Sequence, residues 1–151
     1  MADAKLSLGS YDIDLTDKLG QGTFGVVYRG RHSKNKDVVA VKQCEVKTDE
    51  FGFMAMKEIK HFQQLEGHAN IVRLLDFHYN KNSIWMVMDF CDAGDLTKYM
   101  KECDLNMAEK INIMYQCASA IAYMHTRKHQ VVHRDIKPAN IMMKTEKGRL
   151  F

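Results

Sequence analysis

Val131–Met143 reads VVHRDIKPANIMM. His133, Arg134, Asp135, Lys137 and Asn140, all polar or ionisable, are held between two apolar runs. Pro138 has no amide donor and disfavours helix at Lys137, so a loop between short strands is expected here. A carboxylate, an ammonium and a carboxamide in one loop suit an acceptor for a hydroxyl proton, a phosphate clamp and a metal ligand. A polar turn satisfied by local side chain–backbone bonds would account for any two of these residues. It accounts poorly for the whole string.

Around this loop the chain has 151 residues, 46% of them apolar and 27% charged, enough for a core of ordinary domain size. A net charge of +3 with no isolated basic block gives no reason to expect nucleic acid as the main partner. Cys44, Cys91, Cys103 and Cys117 form no C-x-x-C pair, which fits reduced thiols rather than a structural zinc site. No run approaches the roughly 18 apolar residues of a membrane helix, and the first fifteen residues lack the apolar segment of a secretory signal. A cytoplasmic location is expected, with the nucleus also open, and no membrane partner.

The first third reads as β structure. YDIDLTDKLG and FGVVYRGRH alternate apolar with polar residues, and DVVAVKQCEV is a β-branched run after the polar turn SKNKD. A helix is expected over 49–65, where Phe51, Ala55, Phe62 and Leu65 recur at helical spacing behind Asp49 and Glu50. NIVRLLDFHYN and SIWMVMDF read as two further strands. Then come a short helix, DLTKYMKE, and a longer one over 107–125. The apolar stripe of the longer helix is Met107, Ile111, Met114, Tyr115, Ala118 and Ile121. Met54, Met86, Met114 and Met124 are expected in the core.

Gly20, Gly22 and Gly25 spell G-x-G-x-x-G. Glycines let backbone amides approach phosphates because no Cβ intervenes. A dinucleotide fold would need a helix on the far side, whereas apolar alternation continues there, so strand–loop–strand is expected. Lys42 ends the strand VVAVK. Glu58 lies on the apolar face of the 49–65 helix, where an unpaired carboxylate would be costly, so Lys42 is its natural partner. Escape of Glu58 to water beside Lys57 is the alternative. His125, His129 and His133 fall at i, i+4 and i+8, but the helical pattern breaks before His133, and no metal site is expected there.

Taken together, LGQGTFGVV, VAVK, KEI and HRDIKPAN make the chain resemble the eukaryotic protein kinases over nearly its whole length. The resemblance implies an α+β fold: an antiparallel sheet with one helix as a small lobe, then the first, mainly helical part of a large lobe. It divides the chain into an extension (1–10) and a partial kinase domain (11–151), with small lobe 11–89, hinge 90–95 and incomplete large lobe 96–151. It implies ATP and Mg2+ as cofactors and proteins bearing Ser or Thr as substrates.

By position, the resemblance implies that Gly20, Gln21, Gly22, Thr23, Phe24, Gly25 and Val26 cover the phosphates, with Leu19 and Val27 over the adenine. Lys42 would hold the α- and β-phosphates, oriented by Glu58. Ala40 and Met142 would wall the adenine slot, Met88 would be the gatekeeper, Asp89 and Cys91 would offer backbone to the adenine edge, and Asp95 would face the ribose. Asp135 would accept the substrate proton, Lys137 steady the phosphoryl group, and Asn140 ligate magnesium. His133 would support the loop, and Arg134 resembles the arginine that in many relatives reads a phosphorylated activation loop. Lys137, two residues after Asp135, is typical of the serine/threonine type.

After Asn140 the sequence is IMMKTEKGRLF, with KTEKG expected as a hairpin turn. The second metal-binding motif of the family, Asp-Phe-Gly, does not occur in the 151 residues. Little catalysis by this chain alone is therefore expected, together with an exposed apolar face on the 107–125 helix. The alternative to an active kinase is a non-catalytic ATP-binding or competitor module.

Overall fold

Residues 4–22, 25–80, 82–128, 130–146 and 149–150 are described by a computed structural model, with backbone alone at 146, 149 and 150. Two compact units are present. One comprises Met1–Glu66 and Val72–Phe90, the other Gly67–Ile71 and Cys91–Phe151.

The first unit is a six-stranded antiparallel sheet with a helix. Its strands are β1 (Lys5–Leu8), β2 (Tyr11–Gly22), β3 (Gly25–His32), β4 (Val38–Glu45), β5 (Leu74–Asn80) and β6 (Ser83–Asp89). They are ordered β1-β2-β3-β4-β6-β5. Residues 83–87 of β6 are all buried, because both faces of this strand are covered and its apolar run does not alternate. One face collects Ile13, Tyr28, Val39, Val41, Trp85 and Val87, with Leu6 and Leu8 of β1 packed beside them. The other collects Cys44, Ile84 and Met86 against Ala55 and Ile59 of helix α1 (Asp49–Gln64). Thr48 caps α1, its Oγ1 accepting from the Phe51 amide at 3.4 Å, with Asp49 and Glu50 in the first turn.

The second unit contains α2 (Leu96–Glu102), capped by Asp95, and α3 (Met107–Thr126). Asn106 and Glu109 form a reciprocal capping box at the start of α3. Gly67–Ile71 joins this unit through α3: His68 Nε2 lies 3.2 Å from Ser119 Oγ, and Asn70 Nδ2 donates to Gln116 Oε1 at 2.6 Å. Two short strands, β7 (Thr145–Glu146) and β8 (Arg149–Leu150), pair antiparallel, and the residues between them, where the turn is expected, lie outside the described residues. No helix among the described residues is long and apolar enough to cross a membrane.

The α+β class and the order of elements match the expectation. Several local expectations do not. Within the N-terminal extension, Lys5–Leu8 forms a strand that the sequence reading did not name, pairing in register from Lys5–Asp14 to Leu8–Tyr11. Met86 and Met124 are core, but Met54 and Met114 are exposed, Met114 at 70%. The exposed apolar face expected on the 107–125 helix comprises Met107, Ile111, Met114, Tyr115 and Ala118, while Ala120 and Met124 of α3 are buried. On α1 the fully buried position is Ile59, and Phe51 sits at the margin. The segment before Pro138 forms no strand, and Pro138–Asn140 is a single 3-10 turn. Proline is admitted at its first position, where a missing amide costs nothing.

Candidate active site

Lys42 and Glu58 are brought together from separate elements of the first unit. Lys42 Nζ donates to Glu58 Oε1 at 2.8 Å and to Oε2 at 3.0 Å. Register places Val27 opposite Lys42, Met86 opposite Lys42, and Met88 opposite Ala40. Side chains alternate along a strand, so Val27, Ala40, Lys42 and Met88 share the sheet face that α1 covers in part. Asp89 at the end of β6 accepts a forked pair of bonds from Arg73, Nε at 2.9 Å and Nη2 at 2.9 Å. The hydrogen bonds to Asp89, and then the Asp89 charge, raise the Arg73 pKa.

The glycines of the hairpin do different things. A Cβ on Gly20 or Gly22 would meet nothing within 4 Å, leaving the backbone open to a ligand. Gly25, by contrast, has φ of 146°, and a Cβ there would lie 1.8 Å from the Gln43 carbonyl oxygen. Its glycine is required by the close approach of β4, a reason the motif alone does not supply. Leu19 is exposed and Val26 and Val27 are half-buried. Gln21 is exposed on β2, and Thr23 and Phe24 lie outside the described residues.

In the second unit Asp135 is the centre of a loop network. Its Oδ2 accepts from Asn140 Nδ2 at 2.9 Å and lies 3.3 Å from Lys137 Nζ. The same Asn140 amide donates to the Asp135 carbonyl at 2.9 Å, and the Asp135 amide donates to His133 Nδ1 at 3.2 Å. The bond from Lys137, then that from Asn140, and then the charges of Lys137 and His133 hold the Asp135 carboxyl below the usual carboxylate range. Arg134 has φ of 67°, a left-handed conformation uncommon outside glycine.

Asp95 and Met142 meet through backbone. They form an isolated antiparallel bridge, flanked by Leu96 N to Ile141 O at 2.8 Å and Met143 N to Gly94 O at 2.7 Å. The Asp95 side chain also caps α2, Oδ1 accepting from the Lys98 amide at 3.0 Å. Cys91 is half-buried. Asp92, which the sequence did not single out, accepts from both the amide and the hydroxyl of Thr145, the amide at 2.7 Å. The two residues are 53 apart, beyond the reach of any local pattern.

Two ligand fits follow. The Asn140 NH2 is engaged by Asp135, which leaves its Oδ1 as the kind of oxygen a hard cation takes. The open backbone at Gly20 and Gly22 fits a phosphate chain. No group of three or more His, Cys, Asp or Glu residues suited to a metal occurs among the described residues, and His129 lies outside them.

A lysine–glutamate pair spanning strand and helix, a glycine hairpin and an Asp-x-Lys-x-x-Asn polar loop define a phosphoryl-transfer class of fold. The family described as Protein kinase domain matches residues 13–150, and the chain belongs to it. In particular it is similar to serine/threonine-protein kinase ULK1 of Homo sapiens, 33% identical over 146 residues that cover 95% of this chain. Those residues are 14% of that relative, so the chain spans a small part of its length.

Proposed function

We propose that these residues form the nucleotide site and catalytic loop of a kinase that transfers the ATP γ-phosphate to protein Ser or Thr hydroxyls. ATP supplies the phosphoryl group and Mg2+ offsets its negative charge. The observation that carries the reading is the forked Lys42–Glu58 pair. It aims an ammonium from the face shared with Val27, Ala40 and Met88, and Glu58 fixes its position.

In this reading Lys42 binds the α- and β-phosphates, and the open backbone of Gly20 and Gly22 covers them. Leu19, Val27, Ala40 and Met88 of the first unit are assigned to the base and the backbone of Asp89 to its edge; in the second unit the family resemblance assigns the same roles to Met142 and to the backbone of Cys91. Gln21, Thr23, Phe24, Gly25 and Val26 complete the hairpin over the phosphates, and Asp95 faces the ribose. Asp135 stays ionised and accepts the hydroxyl proton as the oxygen attacks phosphorus, while Lys137 neutralises charge on the phosphoryl group. Asn140 Oδ1 serves as a magnesium ligand.

A second reading is favoured by the lack of an Asp-Phe-Gly sequence in these 151 residues: nucleotide binding with little turnover by this chain alone. Measuring transfer of phosphate to a generic Ser/Thr substrate, in wild type and Asp135→Asn, separates the two. Turnover that Asp135→Asn abolishes supports the first reading. Nucleotide binding without turnover supports the second.

A further inference from the structure

In hydrogen-bond order the sheet is open, with β1 and β5 as its two edges. The edges nevertheless meet. Gly9, in the turn between β1 and β2, has φ of 56°, and a Cβ there would lie 2.8 Å from His78 Cε1 and 3.5 Å from Asp76 Oδ2, both on β5. His78 Nε2 is itself 3.0 Å from Asp76 Oδ2. On the turn's other side Ser33 donates its amide and its hydroxyl to the Ser10 carbonyl, at 2.8 and 2.9 Å. Ser7 Oγ donates to Asp12 at 2.8 Å, tying β1 to β2.

Burial and then the Asp76 charge push the Tyr11 hydroxyl up, and the Tyr11 ring meets His32 edge-on at 5.2 Å. The turn is thus held from both sides. Leu6 and Leu8 then lie on the Ile13, Tyr28 and Trp85 cluster, on the sheet face opposite α1. β2 continues from this turn to Gly20 and Gly22, with register shifts against β3 between Ile13 and Lys18 and between Lys18 and Gly20. Two irregularities therefore lie between this turn and the glycine end of β2, where the ladder is locally disrupted and the strand bends.

We propose that Gly9 and the Asp76–His78 pair are a clasp joining the two sheet edges, and that residues 4–9 act as a strap that positions the glycine end of β2 for nucleotide. His78 is a positioning residue in this scheme, acting through β2. Because the scheme rests on the nucleotide reading above, its test needs a readout that does not.

Hydrogen exchange and affinity for the fluorescent nucleotide TNP-ATP with magnesium are measured for wild type, His78→Ala, His78→Gln and Gly9→Val. His78→Ala is expected to speed exchange about tenfold in β1 and β2 while leaving β4 and β6 unchanged. It is expected to weaken TNP-ATP binding about threefold, with His78→Gln, which keeps a donor to Asp76, restoring both. Gly9→Val, clashing with the imidazole, is expected to act like His78→Ala. Unchanged or uniformly faster exchange, or unchanged affinity despite the local exchange effect, would overturn the scheme. A wild type that binds no TNP-ATP refutes the nucleotide reading and the coupling, while the exchange pattern still decides the clasp.

Discussion

Lys42 Nζ contacts both carboxylate oxygens of Glu58, at 2.8 and 3.0 Å, joining β4 to α1. Glu58 keeps 37% of its side-chain surface exposed, so water screens the pair. A double-mutant cycle with Lys42→Met and Glu58→Gln in urea should return about 0.5–1 kcal/mol of coupling. Coupling near zero would mean that the pair is not held in solution.

Core and surface positions on the same helix should separate sharply. Ile59 is 2% exposed among Cys44, Ile84 and Met86, and Ile59→Ala should cost about 2–5 kcal/mol. Phe53, 72% exposed, should lose less than about 0.5 kcal/mol on the same change. Chemical denaturation of both variants checks the pair, and equal losses would contradict the placement of α1.

Gly25→Ala would put a methyl 1.8 Å from the Gln43 carbonyl at a φ that side chains rarely adopt. The expected loss is at least about 2 kcal/mol, read by the same denaturation. Gly22→Ala meets no neighbour within 4 Å and should be far milder. Equal losses would show that close packing is not what demands glycine at 25.

The Asp135 carboxyl titrates below its ordinary range because its ionised form accepts from Lys137 and Asn140. The loop's ionised arrangement is complete above about pH 4 and is lost only as pH falls through the lowered value. Carbon-13 titration of the carboxyl should show an upward move in Lys137→Ala, since that residue contributes the largest lowering. An unmoved midpoint would remove the Lys137 contact.

Burial pushes the Cys44 thiol pKa up, with Glu58 adding to this and Lys42 opposing it. Only the thiolate alkylates readily, so Cys44 should lag the less buried Cys103 in native protein and match it in denaturant. Mass-resolved alkylation checks the order.

Much of this was legible because it is local or chemical. Alternating and apolar runs gave β2 to β6, and Glu58 on an apolar face called for a cation that Lys42 supplies. What sequence missed needs tertiary context. KLSL is too short and too polar to announce itself as a strand, and β1 exists because β2 and the Leu6–Leu8 packing hold it. Period alone marks the apolar stripe of α3 but not what covers it, so Met114 read as core and is exposed. The Asn70–Gln116 and Asp92–Thr145 bonds join residues 46 and 53 apart, which no window of sequence connects.

We propose a nucleotide site built around Lys42. Its most direct test is the thermal shift of the 151-residue chain with ATP and magnesium, comparing wild type with Lys42→Ala. At a ligand concentration about 100 times Kd, binding should stabilise the wild type by about 2.7 kcal/mol. A clear rise in the wild type and little or none in Lys42→Ala is the predicted result. Equal rises, or none in either protein, would contradict it.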